Sequence, residues 1–255
     1  PPMMLAWAVA LYAMVRAGEA EGRAARPWWA LLGLMIGLGF LAKYTMLAFA
    51  GGALAYGLFS ARGRDLAGTA IAAGVALVVA APNLWWNVVN GFATVTHVAE
   101  DAAPGQGMYN PGELAEFAGA QLGVIGPAFF LVLLAALWRV RALASDHRLA
   151  LLAWQTYALL LPILALSFLT RAQPNWAAPA YVAGSVLAAH WLVSRDWRRL
   201  LLIGQAGAGV AAAAAVYVLA ALYASGAGEL PRFADPFKKM RLGPPFCERA
   251  LGAMA

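Results

Sequence analysis

Long stretches without one charged side chain limit what this chain can fold into. Phe117–Trp138, Leu149–Thr170, Ala172–Ser194 and Leu200–Gly228 contain no Asp, Glu, Lys or Arg. A helix needs about 20 apolar residues to cross the hydrocarbon core of a bilayer, and each run is long enough. A soluble helical protein would need polar faces on these segments, and they have none. Trp28–Ala42, Thr45–Ala61 and Leu66–Pro82 are slightly shorter or closely coupled spans, and Met3–Val15 is a truncated one. The expectation is an all-α, polytopic membrane bundle of about eight transmembrane helices over residues 1–224, with a tail over 225–255. Charged residues make up 12% of the chain, about half the roughly 25% of soluble domains.

The chain begins at Pro1, with no signal peptide, and reads as the C-terminal part of a longer protein. Its single cysteine, Cys247, excludes an internal disulfide. Orientation follows from Lys and Arg in the short loops. One set of loops holds eleven: Arg16, Arg23, Arg26, Arg62, Arg64, Arg139, Arg141, Arg148, Arg195, Arg198 and Arg199. The opposite set holds Lys43 and Arg171, joined by five basic residues of the tail. The arginine-rich side is therefore expected in the cytoplasm. Lys43, the Arg171–Trp176 turn and the tail are expected on the outer, periplasmic face of a bacterial inner membrane. The net charge of +6 is mostly this loop arginine. It is scattered rather than gathered on one face, so nucleic acid is not an expected partner.

Between the apolar runs lies a polar, aromatic stretch, Asn83–Gly112, read as an outer loop: NLWWNVVNGFATVTHVAEDAAPGQGMYNPG. It has no Lys or Arg but carries His97, Glu100 and Asp101. That spacing matches no standard zinc pattern, so no metal ligands are assigned. Trp85, Trp86 and Asn87 follow Pro82; the tryptophans have the character of interfacial anchors, and the alternative is that this segment forms a wall of a sugar or lipid pocket. Lys43, between two apolar runs in GLGFLAKYTMLAFAGG, is costly to bury and in membrane proteins such a residue marks a substrate path; the plainer reading is a side chain that snorkels to the headgroups. Gln173-Pro174-Asn175-Trp176 combines amides with an indole, groups that bind sugars and equally cap helices. His190 reads as a hydrogen-bonded structural histidine. Gly33-x-x-x-Gly37 and Gly119-x-x-x-Gly123 read as helix-packing motifs.

GLGFLAKYTML, AAPNLWWNVVNGFATVTH, QPNWAAPAY and ADPFKKMRLG occur in one order along the chain, and together they resemble bacterial glycosyltransferase family 39. This belongs to the GT-C class, with protein O-mannosyltransferases, aminoarabinose transferases and rhizobial galacturonosyltransferases. The resemblance implies a membrane enzyme that takes a sugar from a polyprenyl-phosphate carrier and passes it to a lipid, glycan or protein acceptor outside the membrane. It implies that the catalytic carboxylate lies upstream of residue 1, so that no catalytic residue is assigned here and this stretch alone is inactive. Lys43, Tyr44, His97, Gln173, Asn175 and Trp176 become the expected substrate-binding residues. No cofactor is assigned; GT-C enzymes differ in their need for a divalent metal.

The leaving group of such a transfer is a lipid phosphate, which calls for a cation at headgroup level, and Lys43 meets that need. The rival readings are a secondary transporter or flippase, and a non-catalytic scaffold. Transporters commonly show internal repeats and broken helices at the midplane. No repeat is visible here, and the polar residues gather at one face.

Overall fold

A computed structural model describes residues 2–60, 65–94, 96, 109–170, 172–193 and 196–225. Among these residues the chain is helical with no strand. The helices are α1 (Pro2–Glu19), α2 (Arg26–Ala42), α3 (Met46–Phe59), α4 (Leu66–Val89), α5 (Pro111–Val124), α6 (Pro127–Ala136), α7 (Val140–Ser145), α8 (His147–Leu169), α9 (Ala180–Val193) and α10 (Asp196–Ala224). Short 3-10 turns lie at Gly22–Ala25, Leu137–Arg139 and Pro174–Ala177. Two compact units divide at Gln205. The first holds α1 to α9 and the start of α10; the described part of the second is the rest of α10 and Ser225.

The chain is a multi-pass membrane protein, and the expected count of eight spans is not confirmed among the described residues. Among the described residues, four helices are long and apolar enough to cross a bilayer: Gly22–Ala42, Leu66–Val89, His147–Leu169 and Asp196–Leu222. Helices α3 and α9, at 14 residues each, reach about 21 Å at 1.5 Å per residue, short of a core of about 30 Å. The expected span Phe117–Trp138 is broken. Helices α5 and α6 meet at a bend of 119° and make a fifth span only if taken together.

The break has a local cause. Gly126 sits at φ 91°, ψ 152°, a region essentially reserved for glycine, and Pro127 has no N–H to continue the ladder. Backbone groups freed in this way need partners in an apolar setting. Gln205 supplies them: its Nε2 donates to the Ile125 carbonyl at 3.3 Å and its Oε1 accepts from the Ala128 N–H at 3.3 Å.

Parallel packing of α2 on α4 organises the other half. A Cβ on Gly33 would strike the Ala72 backbone, one on Gly37 would meet Val79 and Ala76, and one on Gly68 would strike the Trp29 ring. Trp29–Gly68, Gly33–Ala72 and Gly37–Ala76 share one offset of 39 residues, which continues to Tyr44–Asn83 beyond the end of α2. Gly33-x-x-x-Gly37 is thus a packing motif, as expected. Around Gly119-x-x-x-Gly123, by contrast, nothing among the described residues lies within 4 Å of a Cβ built on either residue.

The two ends of the first unit differ in chemistry. At one, Glu19 at the close of α1 accepts from Arg16 at 3.3 Å and from Arg148 of α8 at 2.9 Å, while the Arg16 and Arg139 guanidiniums lie over Trp28 and Trp191. His190, in the last turn of α9, is exposed rather than buried in a structural bond. The other end carries Lys43, the close of α4 and the Pro174–Ala177 turn. Between the ends, Trp7 packs edge-on to Phe49 at 5.2 Å, and fully buried Gln155 donates to the Phe49 carbonyl at 3.3 Å.

Candidate functional site at the lysine end

Lys43 caps the C-terminus of α2. Its backbone is extended at φ −165°, ψ 130°, and its N–H donates to the Gly39 carbonyl. Its side chain is exposed, and it is the one lysine among the described residues. Helix α3 starts three residues later, with Met46 N–H donating to the Lys43 carbonyl at 3.1 Å. The partial positive charge of a helix N-terminus is thereby set beside the ammonium-bearing residue.

Tyr44 follows and is half-buried. Its hydroxyl donates to Asn83 Oδ1 at 3.0 Å. Asn87 Nδ2 donates to the Asn83 carbonyl at 3.0 Å and to Asn83 Oδ1 at 3.2 Å. The Thr94 hydroxyl beside the phenol holds Tyr44 below its ordinary pKa; burial opposes this, and Asn83 and Asn87 add to it.

This cluster exists because α4 runs further than expected. Asn83–Val89 is not loop but the last turns of α4, with Pro82 inside the helix. Asn83 and Asn87, four residues apart, therefore share one helix face. Gly91 at φ 63° and Phe92 at φ 58° then reverse the chain, Phe92 N–H closing on the Asn87 carbonyl at 2.7 Å. Phe92 is the only non-glycine residue with positive φ among those described. A left-handed backbone costs an ordinary residue about 1–2 kcal/mol, and here that conformation delivers Thr94 to Tyr44. Trp85 and Trp86 stand exposed on the same turns.

A second arrangement lies at the Gln173–Trp176 turn. Gln173 and Asn175 are exposed and Trp176 half-buried. Fully buried Gln121 of α5 holds the turn, donating to the Pro174 carbonyl at 3.3 Å and accepting from the Tyr181 hydroxyl at 2.7 Å. Beside it, Asn110 N–H donates to the Phe168 carbonyl at 2.8 Å, and the Tyr109 and Phe168 rings lie 5.4 Å apart.

Of the expected site residues, Tyr44, next to Lys43, is bonded to the end of α4, while the turn that carries Gln173, Asn175 and Trp176 is tied through its Pro174 carbonyl to Gln121 of α5. No hydrogen bond among the described residues joins the two groups. His97, with Glu100 and Asp101, lies outside the described residues, as do Arg171 and the tail. Among those described, no group of three or more His, Cys, Asp or Glu is placed to hold a metal ion. Asn83 and Thr94 were not expected at the site, and Asn87 only with Trp85 and Trp86 as part of an alternative pocket wall. A sequence signal for the two asparagines exists: they stand four residues apart, at helical spacing.

The chain is thus a multi-pass helical membrane protein that carries, among the described residues, one lysine and a hydrogen-bonded amide–phenol cluster at the same end. Comparison with known proteins points to a family: residues 1–86 match the family described as dolichyl-phosphate-mannose-protein mannosyltransferase, and the chain is similar to it over that segment. The matched segment contains α1 to α3 and α4 as far as Trp86, with Lys43, Tyr44 and Asn83. A curated relative, lipid A galacturonosyltransferase RgtD of Rhizobium johnstonii, is 38% identical over 182 residues. The alignment covers 71% of this chain and 38% of the relative, so the chain spans well under half of that protein's length. No solved structure matches the chain.

Proposed function

We propose that this chain forms part of an enzyme that transfers a sugar from a polyprenyl-phosphate carrier to a lipid, glycan or protein acceptor, at the periplasmic face of a bacterial inner membrane. The relative's name supports galacturonic acid as the sugar and lipid A as the acceptor. The observation that carries the reading is the position of Lys43: an exposed lysine at the end of a membrane-spanning helix, within the segment that matches the family.

The chemistry fits that position. As the bond from the anomeric carbon to the phosphate oxygen breaks, negative charge grows on the lipid phosphate. A cation held at headgroup depth stabilises that charge more in the transition state than in the bound donor. Activation of the acceptor hydroxyl needs a base, and by family resemblance that is a carboxylate upstream of residue 1. Nothing in the comparisons favours the alternative of a secondary transporter or flippase.

The test is sugar transfer in membranes from cells expressing the native gene, normalised to protein level. Lys43→Ala should lower transfer about 10²–10³-fold, the cost of removing a preorganised charge-stabilising contact. Lys43→Arg should restore only part of it, because a planar guanidinium does not replace a compact ammonium. Near-wild-type transfer by Lys43→Ala would mean the residue snorkels and would remove it from the site.

A further inference from the structure

We propose that the cleft between α3 and α4 holds one acyl chain of a glycerophospholipid from the leaflet at the arginine end, with the lipid phosphate at Arg26 and a chain ester at Thr69. This site is separate from the lysine end and does not depend on the donor reading above.

Two packing preferences open the cleft. Helix α4 is drawn onto α2 through Trp29–Gly68, Gly33–Ala72 and Gly37–Ala76. Helix α3 leans instead on α8. A Cβ on Gly52 would meet Trp154 and Ala158, Gln155 donates to the Phe49 carbonyl, and the Phe59 and Trp154 rings stack at 5.5 Å. Between α3 and α4, above Leu32 and Ile36 of α2, this leaves a cavity of about 770 Å³. Small wall residues, Ala53 and Gly57 on α3 and Ala73 and Ala76 on α4, keep it wide. Leu54 and Leu77 on its rim are more than half exposed, so it opens towards the hydrocarbon of the bilayer.

Its extent selects the occupant. Along α4 the cleft runs from Leu66 to Leu77, about 16 Å at 1.5 Å per residue. Half of a bilayer core is about 15 Å, so the cleft has the depth of one leaflet, from the arginine end to the middle of the membrane. A helix about 10 Å across would need roughly 1,250 Å³ over that length, more than the cavity offers, whereas a single hydrocarbon chain is narrower. Thr69 carries the one hydroxyl of the lining. It stands about one turn below Leu66, the depth at which a glycerol ester hangs below its phosphate, and its O–H is a donor for the ester carbonyl.

The mouth supplies the charge. Arg26 is exposed at the start of α2, three residues before Trp29 and on the same helix face. Asp65 opens α4 and is the next residue outward in the 39-residue register, with its carboxylate accepting from the Gly68 N–H at 2.8 Å. A free anion has nothing to place in an apolar cleft, and a bare hydrocarbon has nothing to offer Arg26. A phospholipid has its phosphate directly above its chains and matches both.

The experiment uses the protein expressed from the native gene and placed in nanodiscs of phosphatidylglycerol or, in a second arm, phosphatidylethanolamine. Native mass spectrometry then counts the phospholipid retained after transfer to detergent. Wild type should keep one molecule from either arm, because both lipids share the phosphodiester and the ester. Ala53→Leu with Ala73→Leu fills the cleft and should lose it. Gly74→Leu adds the same side chain to α4 where nothing lies within 4 Å of a built Cβ, and should keep it. Titrated back into delipidated protein, the lipid should bind roughly tenfold more weakly to Arg26→Gln and about 2- to 10-fold more weakly to Thr69→Val, the worth of a charged and of a neutral hydrogen bond. A route without variants varies the acyl chain: affinity for wild type should rise with chain length and level off once the chain reaches the middle of the membrane.

Equal retention by the filled variant and Gly74→Leu overturns the proposal, since the lipid would then be ordinary annular lipid. So does a wild type that keeps no phospholipid, which would mean that another part of the native protein, or a second copy, covers the cleft. Displacement of the phospholipid by polyprenyl phosphate also overturns it: the cleft would then hold the donor's tail, and the donor reading would stand. Affinity that ignores acyl length, or that is unchanged in both Arg26→Gln and Thr69→Val, overturns it as well.

Discussion

Tyr44 and Asn83 are joined at 3.0 Å across a separation of 39 residues, the same offset that pairs Trp29 with Gly68 and Gly33 with Ala72 along α2 and α4. The polar contact at the lysine end is the last step of an apolar register set deep in the membrane. Parallel helices in contact over several turns cannot slide without repacking every step, so glycines about three turns away help hold the phenol against the amide.

Gly33→Leu should break that register. The Ala72 backbone occupies the space a side chain would need, and backbone cannot rotate away as a side chain can. Overpacking of this kind costs about 1–3 kcal/mol, read as a lower melting temperature in detergent. Gly74, on α4 with nothing within 4 Å of a built Cβ, is the control: Gly74→Ala should be neutral or slightly stabilising, by helix propensity. Equal effects at the two positions would show that α2 and α4 do not pack through Gly33.

Gln205→Leu should loosen the bend between α5 and α6. It removes the only partners that the described residues give to the Ile125 carbonyl and the Ala128 N–H across the break. Leaving such groups unpaired costs about 1–3 kcal/mol. Gln205→Glu keeps the acceptor for Ala128 but loses the donor for Ile125, and should fall between wild type and leucine when stability is measured by thermal unfolding. A leucine variant as stable as wild type would mean that the break is satisfied in another way.

Why some of this was legible in the sequence and some was not follows from which forces act over short range. Membrane helices announce themselves by missing charge, because burial of charge in lipid is costly wherever it occurs. Lys43 was legible for the same reason. The break at Gly126-Pro127 was missed because both residues are apolar, and a composition test sees Phe117–Trp138 as one run. The site was only half visible: Pro82 reads as a helix end, yet α4 continues through it to Val89, turning Asn83 and Asn87 from loop residues into a matched pair. The role of Tyr44 depends on a partner 39 residues away, a distance local pattern cannot span. Gly119 and Gly123 show the converse: a motif present locally with nothing among the described residues within 4 Å of a built Cβ.

Asp146 gives a pH dependence with a definite sign. It caps α8, accepting from the Arg148 and Leu149 N–H groups at 2.7 and 3.3 Å, and these backbone bonds hold its pKa below the ordinary carboxylate value. A carboxyl depressed on folding contributes stability above its unfolded pKa of about 3.9, and loses it as pH falls through the folded value. Asp146→Ala should therefore cost about 1 kcal/mol at pH 7, and the gap to wild type should narrow in acid. Asp146→Asn keeps a capping oxygen and should retain most of the stability without the pH dependence. A gap between wild type and Asp146→Ala that stays constant from pH 7 to pH 3 would show that the charge contributes nothing.

The sidedness of the site is the remaining step, and it is decided by labelling. Eleven arginines stand in one set of loops against Lys43 and Arg171 in the other, and the structure places Arg16, Glu19 and Arg148 together at one end. Basic residues in short loops are retained in the cytoplasm, so the arginine end should face inward and Lys43 outward. With the native Cys247 replaced by serine, a single cysteine at Ser145, beside the α8 cap, should react in intact cells only with membrane-permeant thiol reagents. One at Gly105, between α4 and α5, should react with impermeant reagents. The tail, which carries five basic residues on the proposed outer side, makes this a real test rather than a formality. Labelling of Ser145→Cys by impermeant reagents, with Gly105→Cys protected, would turn the protein over and place Lys43, Tyr44 and Asn87 in the cytoplasm, away from any periplasmic acceptor.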